Sequence, residues 1–350
     1  MAKIHLFLFL LLSTFAQAQR AKVDSIMYGG ASVIRFTAGG YEALLLPAFG
    51  SSVIRLYHTP TRSDILHTPD STAMHRFYNR PQVYGTPLLF PPNRIADGQY
   101  KVGNKTYRYP ITLASQNCHH HGYLKSQRFE LIDTQVYADS VVLITSFLSD
   151  ATSGDVFASF PHPFRCEMTL RLSKNGLEQS VAFHNLDDMP MPMGFGYHTP
   201  LRLPFQSADH TYRLLLSAGE RWEVDNRFLP TKKRLKLVGE FKKMRYSGMD
   251  CQMSPIEVAL ANNPLYYFDQ MYNGAILRNH TTGISVFYEV DPKFIHWTLW
   301  NNKGKAPYVC PEPQSWVTNA PNLDLPASET GFILLPAGQV WEATVKLYVR

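Results

Sequence analysis

Apolar and polar residues alternate with a period of two along much of the chain, as in a half-buried strand whose successive side chains point to opposite faces. In Cys166-Glu167-Met168-Thr169-Leu170-Arg171-Leu172 the apolar Cys166, Met168, Leu170 and Leu172 share one face. After Ser173-Lys174-Asn175-Gly176 a second alternating run sets Leu177, Val181 and Phe183 on one face, and Asn-Gly between two such runs predicts a hairpin. Near the C-terminus Trp341, Ala343, Val345, Leu347 and Val349 alternate with Glu342, Thr344 and Lys346, and Ile284, Val286 and Tyr288 alternate with Ser285, Phe287 and Glu289. Clusters such as Pro91-Pro92-Asn93 and Asn262-Asn263-Pro264 punctuate these runs, and no long stretch carries a convincing 3.6-residue period. The pattern predicts an all-β fold, a large antiparallel β-sandwich of two packed sheets. No low-complexity linker or internal repeat divides residues 19–350, which read as a single domain.

Composition narrows the classes further. Of 350 residues, 45% are hydrophobic and 18% charged, which excludes intrinsic disorder. The 24 Pro and 21 Gly, with 21 Phe and 19 Tyr, fit many short strands and turns and argue against a coiled coil or helical array. The net charge is +6, yet no run of basic residues forms a stripe or tail, so the charge gives no case for nucleic acid.

The first residues carry a compartment signal. Lys3 precedes the apolar run Ile4 to Leu12, and Ala16-Gln17-Ala18 supplies a small-residue cleavage pattern, so residues 1–18 read as a secretory signal peptide. The run is shorter than the ~20 residues a spanning helix needs, and no later stretch would cross a bilayer. The expectation is an exported protein, periplasmic or secreted, with no membrane span after cleavage.

Cys118, Cys166, Cys251 and Cys310 are widely separated and lack the C-x-x-C spacing of zinc or redox sites, and the sequence chooses no disulfide among them. No G-x-G-x-x-G or P-loop pattern is present, so a site must be built from side chains across strands. Three segments stand out. In His119-His120-His121-Gly122 a strand would aim His119 and His121 one way and His120 the other; a zinc reading lacks paired ligands elsewhere. In Gly194-Phe195-Gly196-Tyr197-His198-Thr199-Pro200, His198 sits among aromatic and small residues at the end of a strand, a setting that suits a sugar cleft. In Cys310-Pro311-Glu312-Pro313-Gln314-Ser315, two prolines fix the backbone around one carboxylate, as in a rigid loop.

Taken together, Tyr84-Gly85-Thr86-Pro87-Leu88-Leu89-Phe90-Pro91-Pro92-Asn93-Arg94-Ile95, His121-Gly122, Gly196-Tyr197-His198-Thr199-Pro200 and Glu312-Pro313-Gln314-Ser315, in that order, resemble the aldose 1-epimerase (galactose mutarotase) family. No one segment is specific, but four in the right order are. Phe160-Pro161, Asn185 and the segment Val224 to Thr231 support the match, which runs from about residue 40 to the C-terminus.

The resemblance implies a galactose mutarotase-like supersandwich whose cleft interconverts the α and β anomers of a free hexose without a cofactor or metal. By family position Glu312 is the base that takes the C1 hydroxyl proton and His198 the acid that protonates the ring oxygen, expected as an ionised carboxylate beside a cationic imidazole. Arg94 and His121 are implied as sugar-binding groups, with Asn93 as a further polar contact and Asp269 as the family's sugar-binding aspartate. Phe195, Tyr197, Trp297 and Trp316 are candidates for stacking on the pyranose. The chain departs from some relatives at Asp291 to Thr298, where no Gln stands at the matching place, and at Ser315, where Thr is common. Two other readings remain: a hexose-6-phosphate epimerase on the same scaffold, disfavoured by the leader, and a non-catalytic carbohydrate-binding protein, disfavoured by the presence of both acid and base. The partner in every case is a small-molecule sugar; the oligomeric state is not legible.

Overall fold

The computed structural model describes residues 20–252 and 256–350. The expected signal peptide, residues 1–18, lies outside the described residues.

The alternating segments form antiparallel strands, and the described helices are short, of four to six residues. An N-terminal meander of Lys22–Tyr28, Ala31–Ala38, Tyr41–Leu46, Ser52–His58 and Ser63–Asp64 makes a five-stranded sheet. An eight-stranded scaffold sheet follows, in the spatial order Glu130–Val136, Ser140–Ser149, Phe164–Ser173, Gly176–Asn185, Val340–Val349, Ser285–Val290, Gly274–Asn279 and Tyr212–Leu216. The second eight-stranded sheet carries the site. It orders Pro230–Lys236, Ala218–Val224, Glu257–Asn262, His296–Trp300, Tyr308–Gln314, Gly196–Tyr197 and Leu88–Leu89, with Leu201–Arg202 also paired to Tyr308–Gln314. The expected two large sheets are therefore joined by a third, and four two-stranded ladders complete the pairing among the described residues.

Cys166, Met168, Leu170 and Leu172 are all buried, as are Leu177, Val181 and Phe183 across the hairpin, because the register sets Cys166 opposite Phe183 and Met168 opposite Val181. The turn sits one residue earlier than Asn-Gly suggests: Ser173 pairs with Gly176, so Lys174 and Asn175 span the corner. Gly176 takes φ +96° where an added Cβ would lie 2.2 Å from the Leu347 carbonyl oxygen. Apolar faces of all three sheets, represented by Phe36, Leu170, Phe183, Trp297 and Leu299, meet in one continuous core. Each such side chain contributes about 1.5–3 kcal/mol by leaving water. The four cysteines are buried singly within this packing. Among the described residues no helix is long and apolar enough to cross a membrane.

Candidate active site

Glu312 lies on Tyr308–Gln314, a strand inside the site sheet and not a loop. Along one edge this strand pairs with His296–Trp300, placing Glu312 opposite Thr298. Along the other edge the ladder is interrupted. Leu201–Arg202 pairs with Val309 and Tyr308, Gly196 pairs with Gln314, and the residues between are unpaired on that side. Pro311 and Pro313 occupy this gap, where their missing N–H groups deprive no ladder of a donor. The chain from Gly196–Tyr197 to Leu201–Arg202 crosses the same gap and carries His198, whose backbone N–H donates to the Pro87 carbonyl at 3.2 Å. His198 Nε2 and Glu312 Oε1 are thereby brought to 3.2 Å, both buried.

His120 and His121 reach the site by a local break in alternation. Cys118–His120 pairs with Arg94–Ala96, setting His120 opposite Arg94. The strand ends there because His121 takes φ +65° and Gly122 φ +57°. The turn directs His120 and His121 into the same cavity, with ring centroids 3.5 Å apart. His119 instead turns away, bonded through Nδ1 to the Pro110 carbonyl at 2.9 Å and packed against Tyr109 and Tyr123. The expected pairing of His119 with His121 on one face is thus replaced by His120 with His121. A Cβ at Gly122 would sit 1.9 Å from the Phe90 carbonyl oxygen, so this turn admits no side chain there.

Arg94 is held on several sides. Its guanidinium donates to Glu257 Oε1 at 2.7 Å, to Asn93 Oδ1 at 2.9 Å and to Gln116 Oε1, and it lies 4.5 Å over the Phe228 ring. Asn93 in turn donates to Thr298 Oγ1 at 2.9 Å, and Gln314 donates to the same oxygen at 3.2 Å. Such a network leaves the planar fork little freedom.

These groups line a cavity of about 190 Å³, the room of one small polar molecule. Glu312, His198, Arg94, His121 and Asn93 all face it. Asp269 does not: it occupies the exposed turn between Leu265–Tyr267 and Gln270–Tyr272, with φ +60°. The carboxylate that lines the cavity in its place is Glu257. The aromatic candidates are corrected as well, since Phe195, Tyr197, Trp297 and Trp316 are all buried in the core and Trp300 is the indole at the cavity wall. Glu257 and Trp300 escaped the sequence reading because no motif marks them. Their signal is register: Glu257 pairs with Trp300, Trp300 with Cys310 and Thr298 with Glu312, which puts Glu257, Thr298, Trp300 and Glu312 on one face.

Burial governs the protonation of these groups. It raises the Glu312 carboxyl well above its ordinary range, with the Arg94 charge pulling it back down and Glu257 pushing it up, and it lowers His198 to about 3. His120 and His121 are also driven well below the usual histidine range, chiefly by burial. The 3.2 Å contact alone would suggest an ion pair, but desolvation of both groups outweighs it. Against the expected carboxylate–imidazolium pair, burial favours a neutral acid beside a neutral imidazole. The two descriptions hold the same number of protons: one, shared by the pair. His121, His198 and Glu312 also offer ligand atoms within 4.8 Å of one another, a two-histidine, one-carboxylate set that would accommodate a cation as well as a hydroxyl-bearing ring.

The model of the aldose 1-epimerase family matches residues 32–348. The chain belongs to this family. A galactose mutarotase-like protein from Clostridium acetobutylicum has the same fold with a TM-score of 0.91, at 33% identity over 95% of this chain and 99% of that one. The galactose 1-epimerase of Lactobacillus acidophilus shares the fold at a TM-score of 0.68 and 14% identity, covering 94% and 99% of the two chains. The uncharacterized protein YihR of Escherichia coli (strain K12) is 27% identical over 208 residues, a match that spans 59% of this chain and 61% of that relative.

Proposed function

We propose that this member of the family is an aldose 1-epimerase that interconverts the α and β anomers of free aldohexoses. The observation that carries the proposal is the His198–Glu312 contact of 3.2 Å in the cavity wall that also holds Arg94, His121 and Asn93.

Anomerisation needs two proton transfers and no net change in protonation. One group takes the proton of the C1 hydroxyl as the bond between C1 and the ring oxygen breaks, and another gives a proton to that ring oxygen; an open-chain aldehyde results. Rotation about the C1–C2 bond presents the opposite carbonyl face, and the two transfers run backwards on reclosure. A pair holding one proton is suited to this, because each half-reaction moves that proton from one member to the other through the sugar. In ring opening Glu312 acts as the base and His198 as the acid, the tautomer that the Arg94 charge favours and that the burial of Glu312 opposes. Each transfer contributes roughly 10²- to 10⁴-fold in rate. His121, neutral through burial, is a hydrogen-bonding partner for the C1 or ring oxygen, and the guanidinium fork of Arg94 engages hydroxyls. Export is part of the proposal, supported by Lys3, the apolar run to Leu12 and the Ala16-Gln17-Ala18 pattern.

Polarimetry on freshly dissolved α-glucose and α-galactose tests the activity. The proposal expects the mature protein to shorten the approach to equilibrium well beyond the buffer-catalysed rate; binding of either sugar without acceleration would make the chain a carbohydrate-binding protein.

A further inference from the structure

A second cavity of about 400 Å³ adjoins the first and shares Arg80 with it. Its charged lining is of one sign: Arg76, Arg80 and Lys305, with no Asp or Glu among the residues that form it. No ion pair within 4.0 Å engages any of these three cations among the described residues. This contrasts with Arg94 in the first cavity, whose charge is met by Glu257. The other wall is aromatic. Tyr84 stacks on His67 with ring centroids 4.6 Å apart and an interplanar angle of 15°, and His67 lies 4.7 Å from Tyr308. Burial lowers His67, so it serves as a neutral ring rather than a fourth cation. The aromatic wall continues into the first cavity, since Tyr308 lies 5.8 Å from Trp300 and Trp300 lies 5.6 Å from His198.

We infer that the second cavity is a subsite for a further sugar residue bearing an anionic group, so that the substrate is the reducing end of an acidic oligosaccharide. This rests on the proposed epimerase reading. The ring with the free C1 would sit at His198 and Glu312, and the next residue would lie along the partly exposed Tyr84, with Tyr308 buried behind it as support. Its carboxylate, sulfate or phosphate would meet Arg76, Arg80 and Lys305, exposed cations that offer charge-assisted donors and form no ion pair within 4.0 Å among the described residues, although the Asp70 carboxylate feels the Arg76 charge. The joined cavities match this two-residue ligand in both charge and surface.

The test compares free glucose, glucose 6-phosphate, cellobiose and cellobiouronic acid as substrates for the wild type and for the double variant Arg76→Ala/Lys305→Ala, whose two positions line only the second cavity. Cellobiouronic acid is also titrated calorimetrically, at low and high salt, into Glu312→Gln. In the wild type kcat/KM for cellobiouronic acid is expected to exceed that for cellobiose about tenfold, the worth of one charge-assisted contact at a partly exposed site. The double variant should erase that preference and leave free glucose unchanged. Equal rates on the two disaccharides, insensitive to the double variant, would overturn the inference while acceleration of glucose left the epimerase reading intact. A larger preference for glucose 6-phosphate than for cellobiouronic acid would also overturn it, placing the anion on the reacting ring. Salt-sensitive binding of cellobiouronic acid to Glu312→Gln, with no sugar accelerated by the wild type, would uphold the subsite and refute the epimerase.

Discussion

His198 and Glu312 stand 3.2 Å apart across a gap in one sheet, and burial assigns them one proton between them. The rate should follow that proton. Adding a second requires protonating His198, which burial holds down to about 3, and removing the only one requires ionising Glu312, which burial holds up. The expected profile of kcat is a plateau across neutral pH, lost at the acid end only as His198 titrates near about 3 and lost at the alkaline end as Glu312 ionises. A profile that rises with an apparent pKa near ~6.5 would mean that His198 titrates as an ordinary exposed histidine.

Arg94→Ala removes the fork proposed to engage sugar hydroxyls and leaves Glu257 facing the cavity without its cation. The expected effect is a rise in KM of about 10- to 100-fold with a smaller fall in kcat, and Arg94→Lys should restore little because one ammonium cannot replace contacts to Glu257, Asn93 and Gln116 at once. Steady-state kinetics on the best sugar decide it, and full rescue by lysine would reduce Arg94 to a point charge.

Gly122→Ala strikes the turn that aims His121. The residue sits at φ +57° with no space before the Phe90 carbonyl, so the backbone must move, at a cost of about 2–4 kcal/mol. Chemical denaturation should show that loss together with reduced turnover, whereas Gly103→Ala, also at positive φ but with open space around it, should lose less stability and keep its activity.

The site was legible where chemistry is written in local motifs and hidden where it depends on strand pairing. Glu312, His198, Arg94, His121 and Asn93 each stand within a short run of Pro, Gly or aromatic residues, and all five face one cavity. Glu257 and Trp300 stand in ordinary alternating strands, and only the register Glu257–Trp300 and Thr298–Glu312 turns them inward. Asp269 falls at the tip of a hairpin because a turn aspartate between two aromatic segments has the same sequence pattern there as at a cleft. The histidine run departs from strand alternation because His121 takes a positive φ, which no motif in the run announces. The strands themselves were legible from period-two burial, as in Cys166 to Leu172, but the N-terminal meander pairs only within itself, through hairpins 3 to 17 residues apart, and no pattern of faces encodes that its edges join neither large sheet.

Two histidines away from the pair make stability depend on pH. Burial lowers His119 to about 4 and His296 to about 3, and His296 Nδ1 accepts from the Trp222 indole at 3.4 Å, a contact that needs the neutral ring. Below the unfolded value of about 6.5 the unfolded chain binds protons that the native one does not, so stability falls as pH falls, at about 1.4 kcal/mol per pH unit for each histidine until its native pKa is reached. Urea midpoints should therefore drop steadily from pH 7 to pH 4. His296→Gln should flatten the slope by about half of this two-histidine share; an unchanged slope would mean that His296 is protonated in the folded protein.

The central claim is that Glu312 and His198 move one proton through a bound sugar, and the most direct measurement is polarimetry of α-glucose with wild type and Glu312→Gln, paired with calorimetric binding of the same sugar. Glutamine keeps the size and polarity of the side chain and removes its acid and base. The account predicts that Glu312→Gln binds sugar within a few-fold of wild type and loses at least ~10²-fold in turnover. Wild-type turnover in that variant would contradict it.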